Sequence, residues 1–324
     1  MLFSCLLSCA AEGTLVAEHA CRRAFVPLRP RCHRVTLTSM STDLSDADVP
    51  VLLSPWQRTF GVEFEFFTDM TWQEVVRCLR QDGHEVEDDE KEDVTKRWKV
   101  VEEWSLHGLG WEVVSPVLKG RGGLQAVMKM CGTLQKLNVT VSQKCAFHVH
   151  VGVSDLEGEH AACLLLLHDH IEQKISGSLS SVDPLRRKSV FCRKSFPNKL
   201  LNRARKGPIT FDEARPFTKA RLYSLSIWGQ CAKFGTVEFR RHAGTTHFQE
   251  ALSWIVVCLF MVSATSSLVQ RGFGRNLREA FIALGMFQDD QLAEWAARSI
   301  LERNYHGSSP RYLSFDEGWL ESKD

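Results

Sequence analysis

The sequence predicts an α+β fold in which an antiparallel sheet is backed by helices. Five segments alternate apolar and polar residues with the two-residue period of strands: Phe60–Phe67, Trp111–Ser115, Ala146–Val153, Arg221–Trp228 and Thr236–Arg241. Helical stretches lie between them, but the sequence lacks the regular strand–helix–strand repetition of a parallel sheet. We therefore expect a sheet with one polar face and one face covered by helices.

Helices are predicted at Gly123–Leu137, His160–Ile175, 247–270, 275–286 and 289–303. Residues 251–270 carry no charge and are long enough to span a bilayer. Serine and threonine residues make the second half of this segment mildly polar, and no other segment of the sequence resembles it. We therefore interpret it as a buried helix of a soluble domain and expect no membrane partner.

Composition argues against several classes of protein. The chain of 324 residues has 40 Lys+Arg against 39 Asp+Glu, which argues against a general nucleic-acid coat but leaves room for a local basic patch, and no nucleic-acid partner is expected. Its eleven cysteines are scattered without a C-x-x-C pair, which predicts mostly reduced, buried thiols. We interpret the mixed-charge run Gly83–Lys99 as a solvated loop. The basic stretch 186–206 is read the same way, with a flap over phosphates as the alternative.

The first 54 residues differ in composition from the rest of the chain. A short apolar run precedes five arginines with few acidic residues among them, as in organelle transit peptides. A disordered leader, with Met40 as an alternative start, is the other interpretation. We expect a catalytic domain at 55–305 and a tail at 306–324. The chain would be cytoplasmic, or mitochondrial or in another organelle if the leader is a transit peptide.

The polar positions of the predicted strands carry unusual residue types. Residues two apart in a strand share a face. This rule places the following residues opposite apolar neighbours: Glu63 and Glu65, Glu112, His148 and His150, Glu238 and Arg240. On any single strand, this is compatible with an ordinary half-exposed sheet. Converging carboxylates, however, repel one another unless cations lie between them, and oxygen-rich clusters favour Mg²⁺ or Mn²⁺.

Two other site chemistries are weighed against this prediction. His148-x-His150 and a glutamate would suit a zinc hydrolase, but no H-E-x-x-H accompanies them. The sequence has no G-x-x-x-x-G-K-[ST] loop, so metal ions and arginine would have to hold any nucleotide.

Four motifs in order resemble the amidoligase family, which is similar to glutamine synthetase and glutamate–cysteine ligase in its catalytic domain. The four motifs are Gly61-Val62-Glu63-Phe64-Glu65, Trp111-Glu112-Val113-Val114-Ser115-Pro116, Cys145-Ala146-Phe147-His148-Val149-His150 and Thr236-Val237-Glu238-Phe239-Arg240. The resemblance covers roughly residues 56–270. It implies a glutamine synthetase-like sheet whose concave face binds ATP and divalent metal ions.

The resemblance also implies a role for each residue. Glu65 and Glu112 would hold a metal ion on the substrate side, and the ion that bridges the ATP phosphates would be held by Glu63, His148 and Glu238. Arg240 would contact the transferred phosphoryl group or the acid, and His150 would line the site beside His148. The catalytic candidates are Arg240, Glu65 and His150. Further candidates for binding ATP are Arg186, Arg187 and Arg221. A homo-oligomer is compatible with the resemblance, because relatives of glutamine synthetase assemble.

The predicted function is that of an ATP- and Mg²⁺-dependent (or Mn²⁺-dependent) carboxylate–amine ligase that works through an acyl phosphate. Its substrates would be small-molecule or peptide acids and amines. The alternatives are the zinc hydrolase and an inactive relative that only binds ligand. Two departures from the family pattern put substrate identity in question. Glu103-Trp104-Ser105 stands where Asp-Gly-Ser is frequent, and Ser226 stands where an Asn is expected.

Overall fold

The computed structural model describes residues 55–87, 96–106, 110–156, 159–175, 196–207, 209–218, 223–227 and 234–270. Several predictions fall outside these residues and stay predictions. They are the leader at 1–54, the helices at 275–286 and 289–303, the tail, and the candidate ATP-binding residues Arg186, Arg187 and Arg221.

A seven-stranded sheet forms the centre of the described structure. Its strands are β1 Thr59–Phe67, β2 Lys99–Glu102, β3 Gly110–Val114, β4 Leu118–Lys119, β5 Ala146–Gly152, β6 Leu225–Ser226 and β7 Thr236–Ala243. The order is β2-β3-β1-β5-β7-β6, β4 pairs with the start of β1, and every strand pair is antiparallel. This confirms the predicted α+β class with an antiparallel sheet.

Six helices accompany the sheet in the described ranges: α1 Trp72–Gln81, α2 Gly120–Lys136, α3 Glu159–Ile175, α4 Asn198–Lys206, α5 Phe211–Ala214 and α6 Phe248–Gln270. The boundaries of α2, α3 and α6 lie within three residues of those predicted. The sequence analysis missed α1, although a capping box between Thr71 and Glu74 marks its start.

Three expectations need correction. The basic stretch contains α4, which buries Leu200 and Leu201, so it is not simply a loop. The mixed-charge run ends in buried structure, because Trp98 and Lys99 are both buried and Lys99 begins β2. The strand predicted at 221–228 is only the two-residue β6 in the described part of that segment. In the first two cases, packing against neighbouring elements overrides a pattern that is polar in sequence.

The two faces of the sheet differ as the two-residue period predicts. Phe64, Phe147 and Phe239 are buried on the face that helices cover, and the rings of Phe64 and Phe147 lie 4.8 Å apart between centroids. Helix α6 packs against β5, α2 and α3 behind this face, and Trp254 of α6 meets Phe239 edge to face. Burial of these aromatic side chains leaves the alternate, polar residues on the opposite face.

Helix α6 is the one helix among the described residues that is long and apolar enough to cross a membrane. Its window Phe248–Thr265 has a mean hydropathy of 1.6, and 83% of that window is buried inside the protein. Burial of this extent is typical of a core helix.

A buried ion pair joins three segments around the end of β5. The guanidinium of Arg58 is fully buried and donates to both carboxylate oxygens of Asp155, at 2.6 and 2.8 Å. It also donates to the Ser263 hydroxyl in α6, at 2.9 Å, and to the carbonyl of Gly152, at 3.0 Å. Arg58 therefore ties the start of β1 to the loop after β5 and to the core helix.

Asp155→Ala should destabilise the protein by about 3–5 kcal/mol, because it leaves a buried guanidinium without its counter-charge. The double variant Arg58→Met/Asp155→Leu should lose less than the single variant, since no buried charge remains. Asp212→Ala is the matched control, because Asp212 pairs with Arg215 at an exposed site. It should cost at most about 1 kcal/mol. Urea unfolding measures all three, and an equal loss in Asp155→Ala and the control would contradict the role of the pair.

Candidate active site

The register of the sheet sets the polar residues of four strands side by side. The paired Cα positions are Glu63 with His148, Glu65 with Glu112, and His150 with Glu238. Directly opposed residues in an antiparallel pair point to the same face, with Cβ atoms about 5 Å apart. The polar side chains predicted to share a face on each strand therefore meet in one cluster across β3, β1, β5 and β7.

A bulge in β7 adds an arginine to this cluster. Phe147 pairs with His242 but Val149 pairs with Phe239, so two residues of β7 oppose the single residue His148 of β5. A bulge of this kind re-aims the side chains next to it. Arg240, one of these two residues, forms an ion pair with Glu238 on the polar face.

Glu63 lies between the two imidazoles. Its Oε2 accepts a hydrogen bond from Nδ1 of His148 at 2.8 Å, and its Oε1 accepts one from Nε2 of His150 at 2.9 Å. Glu65 is fixed differently, because its Oε2 accepts the backbone N–H of Ala146 at 2.7 Å. These contacts hold both carboxylates in place while leaving further oxygen lone pairs for a ligand.

Charged neighbours shift the pKa values of the carboxylates in this cluster. Burial alone would raise the pKa of Glu63, but the charge of His150 and the hydrogen bonds from both imidazoles hold that pKa well below its usual value. Burial would likewise raise the pKa of Glu238, but Arg240 and His150 outweigh it and lower that pKa. Both carboxylates are therefore anions stabilised by nearby cations.

Glu112 is in the opposite situation. The pKa of Glu112 is raised well above its usual value, chiefly by burial. The like charge of Glu63 and a hydrogen bond to it raise this pKa further, as do the charges of Glu65 and Glu103. The cluster is thus polarised. Its β7 end carries Arg240 beside the imidazoles, and its β3 end is crowded with carboxylates.

Two groups of side chains in the cluster have the spacing of a metal site. One comprises Glu63, His148 and Glu238, and the other comprises Glu65, Glu112 and His148, with one ligand atom of each residue within 4.8 Å of the others. Nε2 of His148 is buried and makes no hydrogen bond to any described residue, and it lies 3.5 Å from Oε1 of Glu65. A buried nitrogen without a partner beside carboxylate oxygens fits a divalent cation. The residues present are therefore compatible with the metal ions that the resemblance implies.

Seven of the predicted site residues come together in this cluster: Glu63, Glu65, Glu112, His148, His150, Glu238 and Arg240. Their division between two metal ions remains a prediction. The sequence analysis missed Lys99. Lys99 and Glu63 both pair with Val114, so they share one face of the sheet. The Nζ atom of Lys99 lies 3.9 Å from the carboxylate of Glu87. The two valines that follow Lys99 are typical of a strand, but the preceding charge run concealed its start.

Glu112→Gln should raise the melting temperature of the metal-free protein at pH 7. Glutamine keeps the hydrogen bond to Glu63 and removes one of the crowded charges. We expect about 2–4 °C for each kcal/mol of repulsion that is relieved. Because the pKa of Glu112 is raised in the folded protein, wild type regains stability as pH falls through that pKa. The advantage of the variant should therefore shrink toward pH 4.5.

The matched control is Glu102→Gln, at an exposed position on the neighbouring strand. It should change the free energy of unfolding by less than about 0.5 kcal/mol. Thermal unfolding in EDTA measures both variants. A lower melting temperature for Glu112→Gln than for wild type would contradict the crowding of charges.

The sequence comparisons bear on the same residues. A search of curated proteins finds no match. The family model described as putative amidoligase enzyme matches residues 56–262. The match covers more than half of the chain and includes every residue of the cluster, from Glu63 to Arg240. The ordered strand motifs, the polarised cluster that they build and this match lead to one conclusion: the chain belongs to the putative amidoligase enzyme family.

Proposed function

We propose that this protein is an ATP-dependent carboxylate–amine ligase that forms an amide or isopeptide bond. The observation that carries the proposal is the polarised cluster on the polar face of the sheet, in a chain of the amidoligase family. Carboxylates at one end suit metal ions and a cationic substrate, and the arginine at the other end suits an anionic one. The sheet would correspond to the catalytic sheet of glutamine synthetase, with ATP on its polar face.

The two groups of metal-compatible residues would hold Mg²⁺ or Mn²⁺. Glu63 and Glu238 face Nδ1 of His148, whereas Glu65 lies near its Nε2, so the imidazole is placed between the two groups. Once bound, the ions would neutralise charge between ATP and the acid, two anions that must approach each other. The chain itself holds Glu65 rigid through the Ala146 amide, which keeps this ligand oriented before metal binds.

Arg240 would bind the transferred phosphoryl group or the carboxylate of the acid. Glu238 fixes its guanidinium through the ion pair, and a planar guanidinium suits bidentate contact with an anion. His150 would line the same end of the site, where Glu63 stabilises its protonated form. Burial lowers the pKa of His150, but the Glu63 carboxylate outweighs burial and raises it overall.

The reaction would proceed in two transfers. An oxygen of the acid attacks the γ-phosphorus of ATP, the bond to the β,γ-bridging oxygen breaks, and an acyl phosphate and ADP form. The neutral amine then attacks the carbonyl carbon and expels phosphate, leaving the amide and one proton. Small-molecule or peptide acids and amines are the proposed substrates.

The zinc-hydrolase alternative is less well supported by the geometry. Neither of the two metal-compatible groups found among the described residues contains both His148 and His150, because His150 is turned toward Glu63 and Thr236. A site with two histidines and one carboxylate would need both imidazoles on one ion. An inactive relative that only binds ligand would have no use for this much clustered negative charge.

Arg240→Gln should lower the rate of ADP release by about 100-fold or more, because it removes a cation that stabilises the transferred phosphoryl group. The assay follows ADP with Mg²⁺, ATP and a panel of acids and amines, using the full chain. Arg77→Gln, at an exposed position of α1, is the matched control and should leave the rate unchanged.

The proposal fails if wild type releases no ADP with any acid–amine pair and does not bind Mg²⁺ with a non-hydrolysable ATP analogue. Stoichiometric zinc in the purified protein, with activity lost to a zinc-selective chelator, would favour the hydrolase instead.

A further inference from the structure

Trp104 is unusually exposed for its residue type. It lies in the single turn Trp104–Leu106 that follows β2, and 81% of its surface is accessible to solvent. The other large apolar side chains that are exposed in the described ranges are Val117 and Val141, both much smaller. Proteins seldom leave an indole so uncovered, and tryptophan is the residue most enriched where ligands and partners bind.

The backbone that carries this indole is firmly held. The N–H of Glu103 donates to the carbonyl of Gly110 and the N–H of Leu106 donates to the carbonyl of Glu103, both at 3.0 Å. The side chain of Glu103 accepts from the N–H of Ser105 at 2.9 Å. Leu106 is buried and packs so tightly on Gly110 that a Cβ there would lie 2.2 Å from it. The exposure of Trp104 is therefore a feature of a fixed turn.

This turn borders the acidic end of the active-site cluster. The carboxylate of Glu103, the residue before Trp104, acts electrostatically on Glu112, and β2 pairs with β3 so that Val101 lies beside Glu112. The charged groups that act on Glu112 are the carboxylates of Glu63, Glu65 and Glu103. The arginine of the cluster lies toward β7, where Arg240 pairs with Glu238, and the buried Lys99 of β2 has its Nζ 3.9 Å from Glu87.

An exposed indole that directly follows a carboxylate acting on Glu112 suits one class of ligand. A protonated amine is attracted by the carboxylates and by the face of an aromatic ring, and an apolar group attached to it can cover the indole. An anionic acid would be repelled at this end and would bind near Arg240 instead. The charge distribution thus separates the two substrates along the sheet.

We propose that Trp104 determines specificity for the amine substrate, which is a primary amine carrying an apolar or aromatic group. The ammonium group of this substrate would face Glu103 while its apolar group lies against the indole. This inference rests on the proposed ligase function, and it places the amine at the β2–β3 end of the site. Ammonia, which has no group to contact the indole, would be a poor substrate.

Isothermal titration calorimetry of the full chain with Mg²⁺ and an ATP analogue tests the binding. The probes are phenethylamine, 3-phenylpropionate and ammonium, which separate the aromatic group from the positive charge. Wild type should bind phenethylamine in preference to the other two. Trp104→Ala should weaken phenethylamine binding about tenfold, and Trp104→Phe should retain most of it. Val141→Ala is the matched control at another exposed apolar position and should bind as wild type does.

The inference is overturned if Trp104→Ala binds phenethylamine as tightly as wild type, if wild type binds phenylpropionate equally well, or if wild type does not bind phenethylamine. A parallel assay of ADP release separates failure of the Trp104 inference from failure of the ligase proposal. If wild type releases ADP but Trp104→Ala keeps the same KM ratio for phenethylamine and ammonium, the ligase stands and the specificity role is wrong. If no amine supports ADP release, the ligase proposal fails, and calorimetry still decides whether Trp104 binds amines.

Discussion

The mutual repulsion of carboxylates on one face of the sheet is the constraint on which the rest of this structure depends. Glu63, Glu65, Glu112 and Glu238 converge from three strands, and each additional buried negative charge makes the next less favourable. At one end the repulsion is offset by nearby side chains, because His148, His150 and Arg240 surround Glu63 and Glu238. At the other end the carboxylates of Glu63, Glu65 and Glu103 crowd Glu112, and bound metal ions would complete the balance.

The architecture supports this arrangement from behind. Aromatic and β-branched residues alternate with the acidic ones, and their burial against α6 fixes which way each polar side chain points. The Arg58–Asp155 pair connects the start of β1, the end of β5 and α6. A slip of one residue in β5 would move His148 and His150 into the apolar core, so the packed face enforces the geometry of the site.

The period of two was enough to predict which residues share a face, because it follows from strand geometry alone. It could not show which residues oppose each other across strands. That register depends on the pairing partners, and in β7 it depends on a bulge that brings Arg240 beside Glu238. Lys99 and the buried side of α4 were missed for a related reason, since burial there comes from tertiary neighbours. Trp104 stood out in the sequence as a departure from the family pattern, but only the fold shows that its indole is exposed and that the preceding residue, Glu103, acts on Glu112.

The central claim is that the cluster binds two divalent ions, one at each end. Titration with Mn²⁺ in the presence of an ATP analogue, with free Mn²⁺ counted by electron paramagnetic resonance, tests it most directly. The account predicts two ions per wild-type chain, with one site lost in Glu112→Gln and the other lost in Glu238→Gln. Absence of Mn²⁺ binding to wild type, or the same two sites in both variants, would contradict it.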